Sequence, residues 1–223
     1  SRSARLFRGF RRRRPGRAPE NTENTSKEFA GKKLGIVTGT MFENVAKEHY
    51  PDAELFFYNS NSDLAEALDK GKIDAYMADE PVGRLINQVY PDQVASSVIE
   101  PAYFAYAFNK DSEWGNHLRQ QLNEFIDECK GNGVLQEIDD IWLGTDESRK
   151  IVDTDSLTGE NGTVHFAVST DGGDPFIYYK DDKLVGYEID LLVRFCEKYG
   201  YDLEMTNYSF ASLLTAVVGE KAD

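Results

Sequence analysis

The residues with the clearest capacity for chemistry stand at the end of one short apolar run. Leu34-Gly-Ile-Val37 is followed by Thr38-Gly39-Thr40, and Met41 leads into helix-compatible residues over Phe42–His49. An apolar run stopped by small polar residues reads as a buried strand, so the unit is strand, turn, helix. The loop leaving the carboxyl end of such a strand is where open α/β sheets hold ligands, beside helix N–H groups that lack partners. Two readings of this loop stand. Hydroxyls and a permissive glycine admit a small anion such as a carboxylate, or the same residues make a plain N-cap and tight turn. Elsewhere the means of catalysis are thin. His49, His117 and His165 are dispersed, Cys129 and Cys196 have no metal-ligand spacing, and no Ser-His-Asp or Cys-His grouping occurs. Glu80 and Glu188 are the acids an enzyme would have to use, and Pro81 sends Glu80 along a helix start. His165 lies within a strand pattern and reads as structural. No catalytic residue, metal ligand or cofactor is expected.

The elements that must position the loop alternate between strand and helix. Strands are expected over 54–58 and 73–78, with helices over 62–70 (Ser62 as N-cap) and 82–90. A short strand begins at Val98, and an aromatic one covers 103–108. Two helices follow, over 112–130 and 134–143, the first turning Leu118, Leu122, Phe125, Ile126 and Cys129 inward. The stretch 146–162 is polar, lacks apolar periodicity and reads as a linker. The pattern then restarts: a strand over 164–168, a hairpin around Asp181-Asp182, a helix over 189–199, a strand over 202–206 and a helix over 210–218. Such alternation means α/β with mainly parallel sheets.

Charge divides the chain sharply. Eight of the twelve arginines lie between Arg2 and Arg17, and no acid occurs before Glu20; from there on, 17 basic residues face 39 acidic ones. So acidic a body argues against binding nucleic acid. Residues 1–28 are expected as a disordered basic arm, possibly foreign to the domain that follows. No apolar run approaches the ~20 residues of a membrane span, and no apolar signal-peptide region is present in this chain.

An internal repeat is also legible. Leu64-x-x-Ala67-Leu68 followed by Lys72-x-Asp74 aligns without gaps on Leu213-x-x-Ala216-Val217 followed by Lys221-x-Asp223. After the first copy comes a buried strand; the second copy ends at Asp223.

Several motifs in order carry a family resemblance. Gly31 to Thr40, Ala67-Leu with Gly71-Lys-Ile-Asp74, and Ala78-Asp-Glu-Pro-Val82 resemble the second lobe of amino-acid-binding proteins of ABC importers. Gly133-Val-Leu and Ile141-Trp-Leu-Gly144 are similar to that family's ending. Asp174-Pro-Phe176 with Gly186-Tyr-Glu-Ile-Asp190 resembles its opening. The resemblance implies periplasmic-binding-protein-like (type II) lobes, incomplete at both ends. It places the second lobe and tail at 29–145, a linker at 146–162 and the first lobe of a following module at 163–223. It also implies binding of a free amino acid outside the cytoplasm, for delivery to a membrane permease. By the same resemblance Thr38, Gly39, Thr40 and the Met41 backbone face the ligand's carboxylate end, and Asp79 takes its ammonium. For Asp79 the alternative is a capping residue before Pro81. Asp174, Phe176 and Phe210 belong to the pocket of the following module. The family's carboxylate-binding arginine has no counterpart in the matching segments, where Arg84 and Arg119 sit on helices and Arg149 and Arg194 are read as solvated. Val37 offers nothing polar to a ligand side chain. A sensor module of a membrane receptor kinase and a dehydratase-like enzyme are the alternatives on the same fold. Finally, 163–223 is expected to dock on 101–145, because each has an apolar face that the other could cover. The linker, about 16 residues long, could span up to ~50 Å extended, enough to allow it.

Overall fold

The computed structural model describes residues 2–9, 29–102 and 104–223, with the side chains of 29–93 and 104–223. In the first of two units (Ser1–Phe104 and Ala105–Asp223), β2 (Lys33–Val37) runs parallel between β3 (Glu54–Tyr58) and β4 (Ala75–Asp79). Helices α1 (Phe42–His49) and α2 (Asn61–Asp69) cover opposite faces of that sheet. Ala75 and Met77 pack with Leu34, Ile36, Phe42 and Val45, whereas Tyr76 and Ala78 pack with Val37, Leu64, Ala67 and Leu68. Alternation along β4 thus feeds two separate cores, and a strand buried on both faces must be apolar throughout. That is why these strands read as unbroken apolar runs. The cap of α2 is Ser60, whose hydroxyl accepts from the Asp63 amide, rather than the expected Ser62. Helix α3 (Glu80–Val89) opens with Pro81 in its first turn, where a missing N–H costs nothing.

The basic arm is corrected over its first part. β1 (Arg2–Gly9) is a strand, antiparallel both to β4 (Ala4↔Asp79, Arg8↔Ala75) and to β5 (Gln93–Ala102; Arg2↔Ala102, Gly9↔Gln93). A slot between two strands pairs backbone groups on both sides, and that outweighs an arginine-rich composition that by itself favours disorder. The rest of the arm, 10–28, lies outside the described residues.

The second unit holds α4 (Glu113–Asn132) and α5 (Val134–Trp142), then β6 (Thr163–Val168) and the hairpin of β7 (Tyr178–Lys180) with β8 (Lys183–Val185). There follow α6 (Tyr187–Tyr199), β9 (Asp202–Asn207), a 3-10 turn at Phe210–Ser212 and α7 (Leu213–Val218). β6 and β9 pair in parallel from Thr163↔Asp202 to Val168↔Asn207. One core joins Leu118, Leu122 and Phe125 of α4, Trp142 of α5, Val164 of β6, and Ile189 and Phe195 of α6. The expected docking of the 101–145 segment on 163–223 is therefore present from Ala105 on, through α4 and α5. Of the α4 residues expected to face inward, Leu118, Leu122, Phe125 and Cys129 are buried and Ile126 is half-buried.

Two expectations need correcting. Residues 104–108 form no strand, although Tyr106 packs its ring 5.7 Å from that of Phe166 on β6; Tyr103 lies outside the described residues. The sheet of this unit ends at β6, so the segment has no ladder to join. The polar stretch 146–162 is irregular, as expected, but it is not a free spacer. Lys150 is 1% exposed, and Val152 enters the core. Among the described residues no helix is long and apolar enough to cross a membrane.

Candidate functional site

In the first unit, the site residues gather at the carboxyl ends of two neighbouring strands. The parallel register of β2 and β4 (Leu34↔Ala75, Gly35↔Tyr76) carries on to bring the Thr38 turn and Asp79 out at the same end of the sheet. Gly39, at φ 81°, makes the turn. Thr38 donates its hydroxyl to the Tyr58 carbonyl (3.1 Å), and Thr40 donates its own to the Val37 carbonyl (2.8 Å). Neither threonine caps α1: the cap position is Met41, 44% exposed and without a side-chain cap. Of the reading as a plain N-cap and tight turn, the N-cap is thus corrected and the tight turn holds. Both hydroxyl protons are spent on the turn, so an anion here would meet backbone N–H groups of the first turn of α1.

Asp79 occupies the N-cap position of α3 in extended conformation, yet its side chain makes no capping hydrogen bond. Glu80 is bridged to Arg84 one turn on, at 2.5 Å. The carboxylate of Asp79 stands at the strand end next to the Thr38 turn, in a position from which an oxygen could accept from a cationic ligand.

The second unit has its own strand-end loops. Asp171 Oδ2 accepts from the Phe210 amide (2.8 Å), and Asn207 Oδ1 accepts from the Thr170 amide (3.2 Å). This clasp ties the loop after β6 to the loop after β9 and presents the Phe210 ring, 40% exposed. Neither Asp171 nor Asn207 was foreseen. The signal was there, since Ser169-Thr-Asp171 ends an apolar strand as Thr38-Gly39-Thr40 does.

Asp174 and Phe176 are placed otherwise. Phe176 is buried. Its carbonyl accepts from the Glu188 amide (3.2 Å), and the Pro175 carbonyl accepts from the Tyr187 amide (2.9 Å). Gly186 makes this approach possible: at φ 137°, a Cβ on it would stand 2.1 Å from the Phe176 carbonyl oxygen. The carboxyl of Asp174 belongs to a charged cluster. Lys150 pairs with Glu147 at 2.6 Å, and Lys180 donates to the Glu147 carbonyl at 2.7 Å. Burial pushes the Asp174 carboxyl above the usual range, against the pull of Lys150. Lys150 in turn holds the Glu147 carboxyl below it. Among the described residues, Asp174 Oδ1 and the Tyr178 hydroxyl are buried without a hydrogen-bond partner. Asp171, rather than Asp174, is what meets Phe210.

Two motifs far apart in sequence meet in this unit. Asp190 accepts from the Trp142 indole (2.8 Å) and from Arg194 Nε (2.8 Å), while Arg194 reaches Glu137 at 3.2 Å. The solvated reading of Arg194 is corrected: its guanidinium closes this link between α5 and α6. His165, on β6, is half-exposed beside Asp223 (Nδ1 3.3 Å). Among the described residues no group of three or more His, Cys, Asp or Glu could hold a metal ion.

Comparison with known proteins gives this arrangement its class. An ancestral arginine-binding protein bound to glutamine matches with a TM-score of 0.52 at 17% identity, over 65% of this chain and 60% of that one. The fold is the type II periplasmic-binding-protein fold. Residues 166–223 match the bacterial extracellular solute-binding proteins, family 3. The arginine-binding extracellular protein ArtP of Bacillus subtilis is 35% identical over 127 residues, 52% of this chain and 47% of ArtP. The ABC transporter arginine-binding protein 1 of Escherichia coli is 25% identical over 129 residues, 56% of this chain and 53% of its own. Residues 166–223 thus carry the pattern of that family, and the chain is similar to these solute-binding proteins; it spans about half the length of the curated relatives it matches.

Proposed function

We propose that this chain binds a free amino acid outside the cytoplasm, as the receptor part of an importer that hands the solute to a membrane permease. The observation that carries the reading is the pairing of the Thr38 turn with Asp79 at adjacent ends of β2 and β4. An α-amino acid is a zwitterion of matching shape. Its carboxylate suits the N–H groups opening α1, and its ammonium, with three donors, suits the Asp79 carboxylate. The names of the relatives and the family match support the same class of solute. By the order of its segments, 29–145 supplies a second lobe with its tail, and 163–223 supplies the start of a first lobe.

Calorimetric titration of the whole chain with free amino acids tests this. Binding of at least one is expected, and Asp79→Ala should weaken it by about 10- to 150-fold, the worth of a charge-assisted hydrogen bond. Binding by no amino acid, or unchanged affinity in Asp79→Ala, would overturn the assignment.

A further inference from the structure

Asparagine is followed by glycine at two places in the chain, Asn132-Gly133 and Asn161-Gly162. Glycine has no side chain to shield its nitrogen, so that nitrogen can approach the side-chain amide of the asparagine before it. The reaction this allows is displacement of ammonia, and the fold treats the two pairs in opposite ways.

At Asn161-Gly162 every reacting group is held. Asn161 donates its side-chain amide to the Tyr199 carbonyl (2.8 Å) and its backbone amide to the Gly200 carbonyl (2.9 Å). The Gly162 amide donates to the Gly159 carbonyl (3.1 Å), and the Gly162 carbonyl accepts from the Asp202 amide (2.9 Å) where β6 and β9 begin to pair. Attack there must first break one bond to the nucleophile and another to the leaving group.

Asn132-Gly133 is built the other way. Asn132 is the last residue of α4, and Gly133, at φ 87°, turns the chain into α5. Both residues are exposed. Among the described residues, neither the Gly133 amide nor the side-chain NH2 of Asn132 donates to an acceptor. The bond this side chain makes is on its oxygen: the Val134 amide donates to Asn132 Oδ1 (3.1 Å). That N–H belongs to the first turn of α5. It polarises the side-chain carbonyl and opposes the negative charge that gathers on Oδ1 when Cγ is attacked. Tying Oδ1 to the amide two residues on also keeps Cγ close to the Gly133 nitrogen between them.

We propose that Asn132-Gly133 is a self-modifying site, at which the folded turn promotes conversion of Asn132 to aspartate and isoaspartate. The Gly133 nitrogen forms a bond to Cγ and loses its proton. The Cγ–Nδ2 bond breaks, and ammonia leaves with the two amide hydrogens and that proton. A cyclic imide remains. Water, the co-reactant, opens it at Cγ to give aspartate or at the main-chain carbonyl to give isoaspartate. Either product puts a negative charge at the junction of α4 and α5. Isoaspartate also routes the backbone through the side chain, adding a methylene between two helices that share a core through Phe125 and Trp142. The inference concerns this turn alone and stands whatever solute the chain binds.

The test incubates the full chain in mildly alkaline buffer and maps its peptides by mass, with isoaspartate counted by an isoaspartyl methyltransferase. Conversion at Asn132 is expected to be at least about tenfold faster than at Asn161, the factor imposed by one hydrogen bond that must open first. In urea, where neither turn exists, the two rates should converge, and the rate at Asn132 should be no higher than in the folded chain. Asn132→Gln, whose longer side chain would need a larger ring, should remove conversion at that position and leave Asn161 as it was. Equal rates at the two pairs in the folded chain would overturn the proposal. So would a folded rate at Asn132 below its rate in urea, since the turn would then protect the amide instead of activating it.

Discussion

Asp190 offers the sharpest test of how the second unit holds together. Its carboxylate is the acceptor for a fully buried indole N–H and for Arg194. Asp190→Ala leaves the Trp142 donor buried and unpaired, a cost of about 1–3 kcal/mol. Loss of the bond to Arg194 adds about 1 kcal/mol, kept small because that side chain is 27% exposed and still reaches Glu137. The expected loss is therefore about 2–4 kcal/mol for this unit. Urea unfolding followed by tryptophan fluorescence reads it cleanly, since both tryptophans, Trp114 and Trp142, lie in the second unit. The second half of a double-mutant cycle is Trp142→Phe, which removes the donor. Trp114, against Tyr201 at 5.5 Å, still reports in that background. There Asp190→Ala should cost about 1–3 kcal/mol less, because no orphaned donor remains. The reasoning fails if Asp190→Ala costs under about 1 kcal/mol, or if its cost is the same in both backgrounds.

Other expectations follow from single contacts. Gly186→Ala should destabilise the second unit by about 3 kcal/mol or more, because the new Cβ meets a backbone oxygen and the backbone angle is strained; a midpoint within error of the parent would refute it. Asp174 has a raised folded pKa, so its contribution is full below the ordinary carboxylate range and is lost as pH rises through the folded value. Asp174→Asn should therefore gain stability over the parent towards neutral pH, with the gain shrinking in acid; a pH-independent difference in urea midpoints would count against it. Burial pushes the Cys196 thiol up to about 12 and raises that of Cys129. Both thiols should resist a maleimide at pH 8 until urea unfolds the chain, and rapid native labelling would contradict their burial.

Local pattern in the sequence carried most of the elements. Apolar runs such as 34–37 and 75–78 are legible because a strand covered on both faces admits nothing else, and the helix ends at Gly133 and Gly200 follow from glycines in the left-handed region. The Thr38 turn was found from its place at a strand end, a local feature, whereas Asp79 came from the family resemblance of Ala78-Asp-Glu-Pro-Val82. What local pattern could not carry was partnership. An arginine-rich stretch is a poor strand by composition, and only a slot with backbone partners on both edges makes Arg2–Gly9 one. The aromatic stretch 103–108 has the opposite history: its pattern is that of a strand, but no ladder stands beside it over 104–108. Asp190, Trp142 and Arg194 each look ordinary in sequence, and their hydrogen bonds exist only because α5 packs on α6. Asp174 looked like a pocket residue from its motif, and the burial of Lys150 turned its surroundings into a charged cluster. Local conformational preference is set by neighbours in sequence, whereas strand pairing, hydrogen-bond partners and dielectric surroundings are set by whatever the folded chain brings near.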